Sequence, residues 1–420
     1  MKKAKLTIAS LVLICSMALN LTACVIGAQA HDLMDGIEPG SVRVTDDFGS
    51  DAATVTNFAL RLFKEANESG KNTLISPLCV MYALAMTANG ADGNTLEEME
   101  RTLGMSTDEL NVYLHSYVSS ITASEKYELS IANSIWFKDD ERFSVNRSFL
   151  QTNADYYGAD IYKAPFNLQT MSEINNWVRE STDGMIPRII NKIPSDTIMY
   201  LINALAFEAE WSNKYTDSAV REGKFTMEDG TKKTVEFMYA SDGRYVEDEN
   251  ATGFVKYYKG SKYAFAAILP NEGISVDSYL STLDAESLNA MLNEEHRVIL
   301  KTALPKFETK YDTEMSSLLY NMGIKDAFYY ATADFDGIGS YEGERIYIGS
   351  VIHKTYIKVD EDGTKAGAAT AVEMSKNSAA EPSQSETKYV YLDRPFIYMI
   401  IDYENNIPLF IGTMMDVKAQ

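Results

Sequence analysis

The sequence predicts an α+β domain. Helix signals crowd the first third of the chain, strand-like apolar runs follow them, and no Pro-, Gly- or Ser-rich linker interrupts the stretch from Asp51 to Glu361. Helices first and strands afterwards argue for segregated layers rather than alternating βαβ units. Apolar residues make up 45% of the 420, which suits one large core better than two small ones.

The elements follow in order. Lys2, Lys3 and Lys5 precede an apolar run from Leu6 to Leu19, and Leu21-Thr22-Ala23-Cys24 comes next. A charged start, a short apolar core and a small-residue exit read as a secretory signal over residues 1–23. Its last four residues resemble a bacterial lipobox, in which Cys24 becomes the lipidated first residue of an exported, surface-anchored or secreted protein. Residues 24–50 are polar and weakly periodic and read as a tether, with the folded domain over 51–420.

Ser76-Pro77 reads as an N-cap followed by proline in the first turn, opening an apolar helix through Met86. Asn94 with Glu97 reads as a capping box, and Gly104 marks that helix's end. Ile174 to Arg179 lies in another amphipathic helix. Strand-like runs are Leu129–Phe137, Met199–Phe207, Tyr263–Leu269, Tyr347–Val359 and Phe396–Tyr403.

Charge and composition exclude several functions. A net charge of −22 repels phosphate backbones and anionic headgroups, so nucleic acid is not an expected partner, and membrane contact is expected only through the lipid anchor. Cys15 leaves with the signal and Cys24 is the candidate anchor, so Cys79 is the only thiol of the domain and no intrachain disulfide is expected. No Gly-x-Ser-x-Gly elbow is present. The four histidines and three cysteines show no zinc spacing. Residues 358–369 fail as a calcium loop, because Lys358 and Ala369 stand where oxygen ligands are needed. No metal, cofactor or enzymatic activity is expected.

Several segments together resemble the serpin family. They are Asn72–Pro77; Asn175-Asn176-Trp177-Val178 with Thr182–Ile186; Asn203-Ala204 followed by Trp211; Leu304-Pro305-Lys306-Phe307; Ala333–Ile338; His353-Lys354; Asp393-Arg394-Pro395-Phe396; and Phe410-Ile411-Gly412. The ordered set covers about Asp51 to Val417. The resemblance implies the serpin fold: helices around a large mixed sheet A, two further sheets and an exposed reactive loop, here about 361–387. It also implies a monomer that inhibits serine proteases as a suicide substrate, without a cofactor. A non-inhibitory serpin-fold binding or substrate protein is the alternative.

The stretch Glu361 to Thr370 is similar to the serpin hinge, and its pattern is informative on its own. As a strand it would place Thr364, Ala366, Ala368, Thr370 and Val372 on one face, all small or apolar, with Lys365 and Glu373 on the other. No proline interrupts it before Pro382, so every ladder donor is present. Its hinge residues are Glu361, Gly363, Thr364, Ala366, Ala368 and Thr370. By resemblance Ser76, Asn203 and His353 form the shutter, where sheet A opens. Trp211, Lys306 and Glu361 form the breach, where insertion begins, with a Lys306–Glu361 ion pair expected. Cys79 stands where the family more often has serine, so one shutter hydrogen bond is expected to be weakened or replaced.

Family spacing from Gly363 puts the reactive bond after Asn377, before Ser378. The stretch from there to Pro395 is longer than the resemblance implies, which leaves Lys376, Met374 and Ala379 open. Lys376 suits a trypsin-like target; Met374 or Ala379 suits an elastase- or subtilisin-like one. Segment 105–124, around the family's helix D, has no Lys or Arg, so heparin-type activation through that helix is not expected.

Overall fold

The computed structural model describes residues 29–121, 127–194, 197–364 and 386–417. Its helices are α1 (Gly49–Ala66), α2 (Pro77–Ala88), α3 (Gly93–Leu103), α4 (Thr107–Ile121), α5 (Arg147–Tyr157), α6 (Leu168–Ser181), α7 (Val276–Thr282), α8 (Ala285–Asn293) and α9 (Ser316–Met322). The Ser76 hydroxyl caps α2 by accepting from the Cys79 N–H, proline fills the first turn, and all twelve residues of α2 are buried. At α3 the expected Asn94–Glu97 box is not the cap. Asp92 is, its carboxylate accepting from Gly93 N–H, while the Asn94 amide reaches Asp326 and Glu98. Asp92 wins because it precedes the first helical residue with extended backbone, the N-cap geometry. Gly104 ends α3 in the left-handed region (φ 86°), as expected.

Three main sheets carry the rest. Sheet A runs β1 (His31–Asp32), β5 (Asp160–Ala164), β3 (Tyr127–Lys138), β6 (Met199–Glu210), β16 (Gly363–Thr364), β15 (Ser350–Val359) and β13 (Phe307–Glu314). It is mixed: β6–β15 and β3–β5 are parallel, and its other pairs are antiparallel. Sheet B runs β2 (Thr73–Ile75), β19 (Ile407–Met414), β18 (Phe396–Asp402), β11 (Tyr263–Pro270), β10 (Ala251–Tyr257) and β9 (Arg244–Glu247). Sheet C runs β17 (Thr387–Tyr391), β12 (Ile299–Pro305), β8 (Lys232–Ala240) and β7 (Val220–Thr226), and β14 (Gly339–Tyr341) pairs β4 (Phe143–Val145) alone. Strands β11, β18 and β19 are buried along their whole length, which is why the first two read as continuous apolar runs rather than alternating ones.

Sheet A is covered on both faces. One face packs, with α2 and sheet B, into the main core; the other packs Trp136, Ile202 and Ala204 beneath Ile174 and Val178 of α6. The expectation of a free tether over 24–50 is corrected from residue 30 onward. The Ala30 N–H donates to Glu173, β1 pairs with β5 at the edge of sheet A, and the Leu33 N–H donates to the Ile161 carbonyl at 2.8 Å. Leu33, Met34, Ile37 and Phe48 pack on the core, and α1 begins at Gly49. The unpaired edge of β5 supplies the partner, which composition alone does not reveal. Residues 1–28, with the signal and Cys24, lie outside the described residues.

Candidate functional site

The site is the seam between β6 and β15. Over its lower part the two strands pair directly, from Ser350↔Tyr200 to Thr355↔Leu205. Above Thr355 they part, and β16 enters the gap, Gly363 opposite Glu210 and Thr364 opposite Ala209. A Cβ on Gly363 would lie 2.1 Å from the Ala209 carbonyl oxygen, so the approach of the two backbones demands glycine there. Thr364 is fully buried, its hydroxyl bonded to the Tyr258 hydroxyl.

The mouth of the gap is the breach. Trp211 stacks on Tyr258 (centroids 4.6 Å apart, planes at 7°). Its indole N–H donates to the Asp360 carbonyl at 2.8 Å and its backbone N–H to the Asp362 carbonyl at 2.9 Å. The Tyr215 N–H donates to the Glu361 carbonyl at 3.1 Å, so the whole turn before the hinge is clamped. Lys306 pairs with Glu361 at 2.9 Å, as expected, and also with Glu236 at 3.4 Å. Burial works against the charge on Glu361, but Lys306 holds its carboxyl below the usual range.

The middle of the seam is the shutter. Asn133, Asn203 and His353 are register partners across β3, β6 and β15. They share the face whose apolar residues pack into the main core, toward the first turn of α2. The Ser76 N–H donates to His353 Nε2 at 3.0 Å, which leaves Nδ1 to donate to the Asn203 side-chain oxygen. This pair of contacts assigns a neutral imidazole protonated on Nδ1. Complete burial agrees, lowering the His353 pKa to about 3. The Cys79 thiol donates weakly to the Ala204 carbonyl at 3.6 Å, and burial pushes its pKa up to about 12. The expected replacement of a shutter hydrogen bond therefore takes the form of a weak S–H donor.

A strand entering between β6 and β15 would move them from neighbours to next-but-one, roughly 10 Å apart. The His353–Asn203 hydrogen bond spans that seam and would break. Among the described residues, Asn133 Nδ2 and Oδ1 and Asn203 Nδ2 find no well-aligned hydrogen-bond partner, although the Asn133 amide lies against the Cys79 thiol.

Trp211, Lys306, Glu361, Gly363 and Thr364 are thus brought together at the breach, and Ser76, Asn203 and His353 at the shutter. Ala366, Ala368, Thr370, Met374, Lys376, Asn377, Ser378 and Ala379 lie outside the described residues. Asn133, Tyr258 and Lys256 are additional to the expected set. Lys256 is buried with its ammonium 2.7 Å from Asp242, over the rings of Tyr215 (4.5 Å) and Trp211 (5.6 Å). Asn133 stands in an alternating strand run where a buried asparagine is unusual, a signal that was legible. Lys256 gives no such signal, because its partners come from distant parts of the chain.

Comparisons with known proteins agree with this geometry. The serpin (serine protease inhibitor) family model matches residues 53–417. A serpin-like protein of Thermococcus kodakarensis is 31% identical over 371 residues, covering 87% of this chain and 85% of its own. The leukocyte elastase inhibitor of Equus caballus is 28% identical over 378 residues, covering 85% and 97%. Tengpin, a thermophilic serpin, is 44% identical. Its native-state structure matches with a TM-score of 0.87, covering 93% of this chain and 100% of tengpin, and its latent-state structure with 0.79, covering 90% and 100%. The chain belongs to the serpin family.

Proposed function

We propose that this serpin is an irreversible suicide-substrate inhibitor of serine proteases. One observation carries the reading: the hinge pair Gly363–Thr364 is already threaded antiparallel between β6 and β15, with the seam below it continuous in direction. A protease serine Oγ attacks the carbonyl carbon of Asn377, the Asn377–Ser378 peptide bond breaks, and the amine of Ser378 leaves with a proton. The acyl-enzyme keeps residues up to Asn377 attached to the protease. The freed segment then zips downward from Thr364, displacing β15 from β6 and carrying the enzyme with it.

About a dozen new ladder hydrogen bonds at roughly 0.5–1.5 kcal/mol net each give on the order of 10 kcal/mol. Typical domains are stable by roughly 5–15 kcal/mol, so distortion of a captured protease lies within reach. The alternation of Thr364, Ala366, Ala368 and Thr370 supports insertion, since each inward residue is small and uncharged. The lipobox ending at Cys24 supports export and anchorage of the inhibitor at the cell surface.

The test is incubation of the domain, lacking the first 24 residues, with trypsin-, elastase-, chymotrypsin- and subtilisin-like proteases. A covalent complex on denaturing gels supports the reading, and the mass of the released C-terminal peptide decides among Asn377, Lys376, Met374 and Ala379. Cleavage without complex and without a rise in melting temperature would favour a non-inhibitory binding or substrate protein. Acyl chains on the mature N-terminus, read by mass spectrometry of membrane fractions, test the anchor.

A further inference from the structure

We infer that the outward face of sheet C is a docking surface for the target protease, and that this target is a serine protease with an acidic surface beside its active site. The inference rests on the inhibitory reading above. The first observation is charge. On the face of sheet C that carries Tyr239, Tyr389 and Tyr391, strand alternation and register place Arg221, Lys233 and Lys301 and no acidic residue. Lys233 pairs with Asp416, which leaves Arg221 and Lys301 as the cations of that face on a chain of −22.

The second observation is a continuous aromatic and cationic strip. Arg221 lies 4.6 Å over the Tyr239 ring, Tyr239 meets Tyr391 edge-on at 6.1 Å, and Tyr391 meets Tyr389 at 5.9 Å. Lys301 stands opposite Tyr389 in register, its ammonium donating to the Ser241 hydroxyl. Tyr389 is 63% exposed and Tyr391 38%. Among the described residues neither Arg221 nor Lys301 has a carboxylate partner. Single exposed tyrosines are ordinary, but an edge-to-face row of them between cations without a carboxylate partner among the described residues is the composition of an interface centre.

The third observation is reach, and it selects the occupant. Tyr389 and Tyr391 lie on β17, the strand into which the reactive loop runs. From Ser378 to Thr387 an extended chain spans at most about 30 Å. A protease of ~200 residues is about 40 Å across, so an enzyme seated on that bond can reach this strand. The −22 body repels an acidic protease, whereas the cationic face of sheet C attracts it. Once the loop has inserted, the enzyme is carried away from sheet C, so these contacts act on encounter and not on the later partition between trapping and release. Rim charges act chiefly on association rate, which agrees.

The experiment measures the association rate constant and the stoichiometry of inhibition for every protease of the panel that forms a covalent complex. The variants are Arg221→Glu/Lys301→Glu and, without a charge change, Tyr389→Ser; melting curves confirm that each is folded. For at least one protease the charge reversal is expected to slow association at least ~10-fold in low salt, and less at about 0.5 M salt. Tyr389→Ser is expected to slow it about threefold at either salt. Stoichiometry stays unchanged in both. Unchanged rates with every trapped protease overturn the docking surface and leave the inhibitory reading standing, also if the charge variant loses retention on an immobilised polyanion. Absence of a covalent complex for the unmodified protein across the panel overturns the inhibitory reading, and the docking surface falls with it.

Discussion

The breach and the shutter belong to one seam, yet they are built in opposite ways. At the breach the turn 360–363 is bonded from several sides: the indole and backbone of Trp211, the Tyr215 N–H and the Lys306 ion pair all end on it. At the shutter β6 and β15 touch directly, and among the described residues the amides of Asn133 and Asn203 have atoms without a well-aligned partner. Each buried unsatisfied group costs about 1–3 kcal/mol. The difference teaches where the seam is anchored and where it is poised. The upper end is held by several bonds and the middle falls short of its best bonding, which under the proposed mechanism gives insertion one starting point and a seam that a strand can part.

The comparison can be broken most directly at the point where hinge meets breach. Thr364→Arg would place a charge where a buried hydroxyl now meets Tyr258. Insertion should fail and the protein should turn from inhibitor to substrate, with covalent complex lost on gels and cleaved product taking its place.

Asn133→Leu removes a shutter amide with no well-aligned partner among the described residues beyond its contact with the Cys79 thiol, and adds no polar group. It should stabilise the uncleaved protein by about 1–3 kcal/mol in denaturant titrations and raise the stoichiometry of inhibition. Destabilisation by that amount would mean that the Asn133 amide is satisfied by water and that the shutter is not poised.

His353 sharpens the comparison through pH. Its folded pKa of about 3 lies below the ordinary 6.5, so between those values the unfolded chain binds a proton that the folded chain does not. Its stabilising contribution is complete above pH 6.5 and is lost as pH falls toward 3. From about pH 7 to about pH 5 the loss should be about 2 kcal/mol. His353→Gln should flatten the pH dependence of unfolding free energy by that amount, whereas Lys306→Met at the breach should leave the dependence in that range unchanged.

Lys306→Met should itself cost the least, about 1 kcal/mol, since the pair is only partly buried and Glu361 keeps some contact with water. The Cys79 thiol, buried and with its pKa pushed up to about 12, should resist alkylation at about pH 8 in the folded protein and react only on unfolding.

Much of this site was legible in the chain. Ser76-Pro77 declared its helix start because capping is local, and Thr364 is buried as the hinge's strand alternation predicts. The order of segments from Asn72 to Gly412 implied the fold by resemblance. The Asn94–Glu97 box misled because Asp92 competes for the same helix start, and only backbone geometry separates the two. The stretch after Cys24 read as a tether because its polar composition says nothing of the open edge of β5.

What the sequence determined by itself was therefore everything that depends on neighbours in the chain: caps, alternation, charge, the single domain thiol and a hinge without proline. The tertiary structure alone decided what depends on distant segments meeting. It set Asn133 beside Asn203 and His353, put Lys256 between Asp242 and the Trp211 ring, and carried Arg221 and Lys301 from separate strands onto one face of sheet C. The physical reason is that hydrogen bonds, burial and local charge act over a few ångströms in space, and the chain brings those ångströms together only when it folds.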